Sequence, residues 1–174
     1  MQAHRAETPD STAAQALQGP NLRILALASL AAVAALVLGL AVRDERARLH
    51  ILSGFLLVLA VAEGGFGALH LLRPQRFNTG PPNVYLRQHL GLYNLFAALL
   101  YAFAALDPVR NSDAILAAIS LYVLHAGYEL SCSLGIAPLG APPFRTKRAF
   151  LVDGLGLLVV IFPIAWFYRL ALSA

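Results

Sequence analysis

The chain has 174 residues, of which 59% are hydrophobic and 13% are charged. A mean hydropathy of +0.67 lies far outside the range of soluble globular domains and indicates a membrane protein. The net charge of +4 comes mostly from arginines at the ends of apolar runs, so the composition does not indicate a nucleic-acid partner. A single cysteine, Cys132, excludes an internal disulfide and any zinc site built from several cysteines.

Apolar runs follow one another along the chain and predict an all-α, polytopic integral membrane protein. Residues 1–22 are polar and contain Pro9 and Pro20, so they are predicted to form an N-terminal tail outside the membrane. Residues 23–174 are predicted to form one transmembrane domain. A transmembrane helix needs roughly 20 mostly apolar residues. Five segments meet this length and predict a five-helix bundle: 24–42, 49–72, about 88–106, about 114–135 and about 149–170.

The basic residues predict an orientation. Five crossings place the two termini on opposite sides, and the side with the N-terminus carries eight Lys and Arg residues against five on the other side. The eight are Arg5, Arg23, Arg73, Arg76, Arg87, Arg145, Lys147 and Arg148. Because basic residues favour the cytoplasmic face, the N-terminus is predicted to be cytoplasmic. The alanine-, leucine- and arginine-rich composition is typical of bacteria, which predicts the bacterial inner membrane.

Strongly polar side chains inside the last four predicted helices occur only in the cytoplasmic half. With a rise of 1.5 Å per residue, Glu63 and His125 both lie roughly 14 Å from the cytoplasmic ends of their helices, so they are able to face each other. Asn94 and Glu129 lie roughly 9 Å deep by the same measure. These depths predict a polar region near the middle of the membrane.

Helical periodicity sorts the polar residues into three stripes. The stripes consist of Glu63, Phe66 and His70 in the second predicted helix, His89 and Tyr93 in the third, and Tyr122, His125, Glu129 and Cys132 in the fourth. Asn94 is predicted to point away from the stripe of the third helix, and Tyr101 lies two turns beyond Tyr93. Stripes that converge from three helices would form a polar cluster inside the bundle.

Ionisable side chains at such a depth have a functional and a structural interpretation. A charged group near the bilayer centre costs roughly 2.5–3.5 kcal/mol, so it usually pairs and marks a functional site. His125, Glu129 and Glu63 are therefore candidate catalytic residues that would handle a proton, and the candidate ligand-binding residues are His70, His89, Tyr93, Asn94 and Tyr122. The alternative is a cluster that only fixes helix packing. For His70 and His89, which lie beside arginines at the membrane boundary, interface anchoring is the favoured explanation.

Glycines are concentrated in the second and fifth predicted helices, at Gly64, Gly65, Gly67, Gly154 and Gly156. Small residues allow membrane helices to approach each other closely. These glycines are therefore predicted to be close-packing positions, in preference to hinges.

The histidines and carboxylates raise the question of a metal or haem. A His and a carboxylate four residues apart on a helix are able to share one ion, but no zinc or di-iron signature is present. Bis-histidine haem ligation requires histidines at matched depth, and two of the three candidates lie at the boundary. No cofactor is therefore predicted, and a metal or haem held by His70, His89 and His125 is the alternative.

Two stretches resemble known membrane families. RQHLGLYNLFAALLYAFAALD, residues 87–107, and LYVLHAGYEL, residues 121–130, resemble the ergosterol-biosynthesis scaffold of sterol C4-demethylation, through Arg87, Gly91, Tyr93 and the pair His125 and Glu129 followed by Leu130. The likeness implies a non-catalytic membrane scaffold. GLYN, residues 91–94, is also similar to a signature of small bacterial membrane proteins without an assigned activity.

The His-x-x-x-Glu spacing also resembles the emopamil-binding type of sterol isomerase. In that family such residues handle a carbocation and a proton in a lipid-facing cavity. The first functional hypothesis is an accessory or scaffold subunit that binds partner membrane proteins, a second copy of itself, or lipid. The second is a small membrane enzyme or ligand-binding protein that acts on an isoprenoid, a sterol or another lipid by acid-base chemistry.

Overall fold

The computed structural model describes residues 20–73, 84–137 and 146–173. Over these ranges the chain is 90% helix, with five helices and no strand: α1 (Pro20–Ala41), α2 (Glu45–Leu72), α3 (Val84–Leu106), α4 (Ser112–Leu134) and α5 (Lys147–Ser173). The all-α prediction is confirmed.

Four of the helices are long and apolar enough to cross a membrane, namely 45–72, 87–106, 112–134 and 147–170. Large apolar side chains are exposed on the outside of every helix in the described ranges, including Leu30, Val61, Leu99, Leu124 and Phe162. A soluble protein rarely exposes apolar surface so widely. The structure is therefore compatible with an integral membrane protein.

The helices begin earlier than hydropathy predicts. The segment 43–48 was expected to be a link, but α2 starts at Glu45 because Asp44 caps it, with the Asp44 carboxylate accepting the Arg46 backbone N–H at 2.9 Å. α1 begins at Pro20, so residues 20–22 of the predicted tail are helical, and the rest of the tail lies outside the described residues. α3 begins at Val84, inside the predicted loop 73–87. Hydropathy marks the part of a helix that suits lipid, whereas polar residues extend the same helix into water.

The end of α4 agrees with the predicted boundary at about residue 135. α4 stops at Gly135, whose φ of 76° is readily adopted by glycine, and the N–H groups of Gly135 and Ile136 bond to the carbonyls of Cys132 and Ser131. α5 continues through the buried Pro163 without ending.

The bundle consists of two closely packed helix pairs. α2 packs mainly against α3, and α4 packs mainly against α5, while α1 lies against α5 and α2. At the α2–α3 contact, a Cβ placed on Gly67 would lie 2.7 Å from the carbonyl oxygen of Gly91, so only glycine allows this approach. At the α4–α5 contact, a Cβ on Gly154 would lie 2.8 Å from Cγ of Leu130. Gly67 and Gly154 are close-packing positions, whereas a Cβ on Gly65 would meet nothing within 4 Å.

The large apolar core side chains and the polar residues occupy different halves of the bundle. Most large core side chains come from the beginning of α2, the end of α3, the beginning of α4 and the end of α5: Leu52, Phe55, Leu56, Leu59, Tyr101, Ile115, Ile164 and Phe167. The polar residues begin at the level of Tyr101 and Tyr122 and continue toward the end of α2, the beginning of α3 and the end of α4. The looser contact between the α2–α3 pair and the α4–α5 pair is called the seam below.

Arg48 fixes the junction of α1 and α2, and its loss is expected to loosen α1. Its Nε donates to the carbonyl oxygens of Gly39 at 3.1 Å and Val42 at 2.7 Å, which the last turn of α1 leaves without helical partners. Replacing Arg48 with alanine should cost about 1 kcal/mol and increase amide hydrogen exchange at the end of α1. Arg46→Ala, which removes an exposed side chain from the same turn of α2, is the control. Unchanged exchange in Arg48→Ala would contradict this role.

Candidate functional site

The centre of the candidate site is a hydrogen bond between α2 and α4. The hydroxyl of Tyr122 donates to Oε1 of Glu63, and the two residues lie 59 positions apart in the sequence. Tyr122 is buried, and Glu63 is half-buried in the middle of a long apolar helix. The bonding partner of Glu63 is therefore Tyr122, and His125, which the sequence placed at the same depth, lies within electrostatic range of Glu63. The Glu63 carboxyl is held by a neutral donor, and its second oxygen has further hydrogen-bonding capacity.

A second buried tyrosine from α3 extends this pair. The rings of Tyr101 and Tyr122 meet edge to face with centroids 5.8 Å apart. Tyr101 is fully buried, and its hydroxyl lies close to Tyr122 and within electrostatic range of Glu63. Helices α2, α3 and α4 therefore all contribute to one site, as the three converging stripes predicted.

The imidazole of His125 lies beside these groups. Its Nε2 is 3.3 Å from Oε1 of Glu129, one turn further along α4, and its ring meets that of Tyr93 edge to face at 6.1 Å. The Glu129 side chain is 5% exposed and that of His125 is 35% exposed. Tyr93 is half-buried and interacts electrostatically with Glu63. The polar cluster thus comprises Glu63, Tyr93, Tyr101, Tyr122, His125 and Glu129.

Some residues of the polar cluster are buried, and others reach the surface of the bundle. Tyr101, Tyr122 and Glu129 are buried, while Tyr93 and His125 reach the molecular surface. Glu63 and His125 each lie nine residues before the end of their helix, which is about 14 Å along the axis and places them near mid-membrane in a spanning bundle. Polar groups at that depth are costly when they face lipid alone. The cluster therefore has an enclosed part and a part that reaches the surface of the bundle.

Among the described residues, Nδ2 of the buried Asn94 has no hydrogen-bond partner, whereas the hydroxyl of Tyr101 lies within hydrogen-bonding reach of the Tyr122 hydroxyl without ideal geometry. Asn94 is 5% exposed and belongs to the inward face of α3, whereas the exposed His89 does not. The sequence placed His89 and Tyr93 on the inward stripe and Asn94 elsewhere, and the structure reverses the positions of His89 and Asn94. The reason is the contact of Gly91 with Gly67, which turns the face containing Gly91 and Asn94 toward α2 and the bundle interior.

His70 lies in the α2–α3 contact. It is 1% exposed, its Nδ1 is 3.0 Å from the carbonyl oxygen of Phe66, and the two rings meet edge to face at 4.2 Å. The ring is therefore packed within the protein, in contrast to the exposed interface anchor that the sequence favoured.

Metal binding has no ready site in the described parts of the chain. No group of three or more His, Cys, Asp or Glu side chains there is arranged to hold an ion. The three histidines considered for haem occupy different environments, since His70 is buried between α2 and α3, His89 is exposed and His125 borders the seam. Acid-base chemistry and ligand binding by these residues require neither a metal ion nor haem.

A separate apolar groove lies on the outer side of the α2–α3 pair. It has a volume of about 480 Å³ and is lined by Leu57, Ala60, Val61, Leu95, Ala98, Leu99 and Ala102. None of the polar cluster residues borders it, so the groove and the cluster are distinct features.

Tyr101 belongs to the site but was not among the candidate site residues predicted from the sequence. Phenylalanine and tyrosine are common in membrane helices, so one buried tyrosine among many apolar residues gives little signal. Its spacing of seven from Asn94 puts both residues on one helix face, and this spacing was the available indication.

Comparison of the chain with family models, curated proteins and solved structures finds no match. The function therefore has to be inferred from the residues of the site and their geometry.

Proposed function

We propose that this is an integral membrane protein in which all five helices cross the bilayer and the N-terminus is cytoplasmic. Four helices of suitable length and the 22 residues of α1, about 33 Å long, support five spans. The excess of Lys and Arg on the N-terminal side supports the orientation, and the composition supports the bacterial inner membrane.

The proposed function is the binding of a lipid-soluble small molecule of the isoprenoid, sterol or lipid class at the polar cluster. The observation that carries this proposal is the incomplete burial of Glu63, Tyr93 and His125 at one level of the seam, in helices that are otherwise apolar. A cluster that served only helix packing would be fully enclosed, because exposed polar groups at mid-membrane cost free energy without tightening the packing. A ligand with a polar group would pair with these side chains, and its apolar part would remain in the bilayer.

Acid-base chemistry on the ligand is the reaction that the same residues support. Glu63 and His125 lie within electrostatic range of each other, and Glu129 bonds to His125 and orients its ring. A carboxyl and an imidazole held in this way are able to remove and return a proton. The resemblance to sterol isomerases at His125 and Glu129 supports this chemistry. The resemblance to the sterol C4-demethylation scaffold implies a different function and remains a prediction.

Replacement of His125 by phenylalanine tests the binding function. The variant keeps an aromatic ring against Tyr93 but removes both ring nitrogens, so a hydrogen bond to the ligand is lost and occupancy should fall about tenfold. Small molecules that co-purify in mild detergent would be identified by native mass spectrometry and lipid extraction. His50→Phe, an exposed histidine near the start of α2, is the matched control and should retain the ligand.

The same measurement can reject the proposal. Wild-type protein that carries only bulk phospholipids, in the proportions of the host membrane, would show that the cluster binds no specific molecule. Equal occupancy in wild type, His125→Phe and His50→Phe would exclude the cluster as the binding site.

Exchange of hydrogen with solvent tests the acid-base step. Glu63→Gln keeps the side-chain shape and an acceptor for the Tyr122 hydroxyl, but it is unable to take up a proton. Ligand recovered from wild-type protein in D2O should carry carbon-bound deuterium, and ligand from Glu63→Gln should not. Glu45→Gln, in the exposed first turn of α2, is the control for loss of a carboxylate. If ligand from Glu63→Gln carried as much deuterium as ligand from Glu45→Gln, Glu63 would be excluded as the proton-transferring group. Ligand binding alone would then remain as the proposed function.

An accessory subunit is the second candidate function, and the groove on the α2–α3 pair favours it. Ala60, Ala98 and Ala102 form a shallow surface between larger side chains, and such small residues allow a partner helix to approach closely. Native mass spectrometry from mild detergent should then show a complex with a partner membrane protein or a second copy. Ala98→Leu, which fills the groove, should weaken that complex, and a wild-type protein seen only as a monomer would contradict this function.

A further inference from the structure

Basic residues lie at one end of the bundle, the end that is cytoplasmic in the proposed orientation. α2 and α4 finish at this end and α3 and α5 begin there, because neighbouring helices of the two pairs run antiparallel. The basic end, as it is called below, is defined by Arg73, Arg87, Lys147 and Arg148. Arg73, Lys147 and Arg148 are exposed, and Arg87 is partly buried.

No acidic residue of the segments 73–87 and 135–148 balances these charges, because neither segment contains Asp or Glu. Within α4 and α5, the acidic residues closest in sequence to the basic end are the buried Glu129 and the partly buried Asp153, each more than one turn inside its helix. Arg73, Lys147 and Arg148 form no ion pair within the described part of the chain. Their positive charge is therefore left for a partner outside it.

The opposite end of the bundle has a different charge pattern. It contains basic and acidic residues in nearly equal number, namely Arg43, Asp44, Glu45, Arg46, Arg48, Asp107, Arg110, Asp113 and Arg169. Charges of both signs at this end are able to balance one another. An unbalanced positive charge is thus a property of one end of the bundle and not of helix ends in general.

The helix dipole does not explain the basic residues at the start of α5. Lys147 and Arg148 lie in the first turn of α5, which contains no acidic residue. The start of a helix has a partial positive charge, so cations are unfavourable there. Lys147 lies against the end of α4, with Nζ 3.5 Å from the position of a Cβ on Gly135, and this contact offsets part of the cost. An anion outside the chain would offset the rest.

We propose that the basic end binds the anionic headgroups of phospholipids in the surrounding membrane, an inference that rests on the membrane insertion proposed above. In a bilayer-spanning bundle these side chains lie at the level of the headgroups, where each Lys or Arg is attracted to anionic lipid. Long basic side chains reach outward from a helix end, and arginine forms paired hydrogen bonds with phosphate oxygens. Basic residues that only set the orientation during insertion would require no lipid preference in the purified protein.

Lipid retention measures this binding. Protein in mild detergent is incubated with equal amounts of phosphatidylglycerol and phosphatidylcholine that have the same acyl chains, and native mass spectrometry counts the lipids that remain bound. Wild-type protein should retain phosphatidylglycerol at least about fivefold over phosphatidylcholine. Raising NaCl from about 0.05 M to about 0.5 M should remove most of this preference, because salt screens exposed charges.

Removal of three exposed charges locates the binding. The triple variant Arg73→Gln, Lys147→Gln and Arg148→Gln should retain the two lipids within about twofold of each other. Arg148→Gln alone should reduce the preference in part, and it provides the test if the triple variant does not fold. The matched control removes three exposed arginines from the opposite end and should keep most of the preference; it carries Arg43→Gln, Arg46→Gln and Arg110→Gln.

Three results would overturn the proposal: equal retention of both lipids by wild-type protein, a preference that survives in the triple variant, or an equal loss in the triple variant and its control. Inorganic phosphate is tested separately by thermal unfolding. A rise in melting temperature as large as that produced by phosphatidylglycerol would indicate a site for soluble anions and would overturn the assignment to lipid.

His125→Phe separates this proposal from the proposed ligand-binding function. The variant should lose the ligand of the polar cluster and keep the preference for phosphatidylglycerol. Loss of the lipid preference in His125→Phe would place the lipid at the polar cluster and would overturn binding at the basic end. A preference that is retained in His125→Phe and lost in the triple variant would support the basic end, whatever molecule the cluster binds.

Discussion

Replacing Tyr122 with phenylalanine is expected to destabilise the bundle by about 1–3 kcal/mol. The substitution removes the hydroxyl that donates to Glu63 and leaves the half-buried carboxyl without this partner in an apolar part of the bundle. In a protein of this size such a loss lowers the melting temperature by about 2–4 °C per kcal/mol. Thermal unfolding in detergent or nanodiscs provides the measurement.

A double-mutant cycle separates the hydrogen bond from other effects of the substitution. Glu63→Leu and the combination with Tyr122→Phe complete the cycle, and a coupling energy of about 1–2 kcal/mol is expected. Tyr168→Phe is the control, because Tyr168 is a partly buried tyrosine of α5 outside the polar cluster, and it should change stability by less than about 0.5 kcal/mol. A coupling energy near zero would mean that the contact between Glu63 and Tyr122 does not join the two helix pairs.

Replacing Gly67 with alanine is expected to have a comparable effect by a different mechanism. The added Cβ would lie 2.7 Å from the carbonyl oxygen of Gly91 and 3.0 Å from the backbone nitrogen of Leu95, so α2 and α3 would have to move apart. Overpacking of this kind costs about 1–3 kcal/mol. Because α3 carries Tyr93 and Tyr101 of the polar cluster, ligand occupancy should decrease together with stability.

Gly65 provides the control within the same helix. A Cβ at Gly65 meets nothing within 4 Å, and alanine is intrinsically more helix-forming than glycine, so Gly65→Ala should be neutral or stabilising by up to about 1 kcal/mol. Opposite signs for Gly67→Ala and Gly65→Ala would support the close helix contact. A destabilisation of the same size in both variants would indicate a general effect of glycine replacement, and the specific contact would be rejected.

The two substitutions bear on different parts of the site. Tyr122→Phe acts across the seam, between α2 and α4, whereas Gly67→Ala acts inside the α2–α3 pair. If the polar cluster binds a ligand, added ligand should partly restore the stability of Tyr122→Phe, because the ligand supplies a new partner for Glu63. Added ligand should not restore the stability of Gly67→Ala, because that loss comes from the displacement of α3.

The candidate site was partly predictable from the sequence. Depth along the helices placed Glu63 and His125 at one level, and periodicity placed Tyr122, His125 and Glu129 on one face of α4. Both predictions used properties of single helices, which are fixed by rise and turn. The choice of Tyr122 as the partner of Glu63 was not predictable, since it depends on how far two helices are rotated about their axes. The same rotation decided that Asn94 faces inward and His89 outward.

The sequence alone determined that the chain is helical and that four or five of its segments suit a membrane, because these properties follow from composition and run length. It also determined which half of the bundle contains the polar side chains, because depth scales with residue number. The tertiary structure decided which polar atoms meet. Helix pairing through Gly67 and Gly91 set the rotation of α3 and buried Asn94 and Tyr101, and packing across the seam brought Tyr122 to Glu63. Contacts between side chains far apart in sequence depend on the packing of whole helices, which no local pattern specifies.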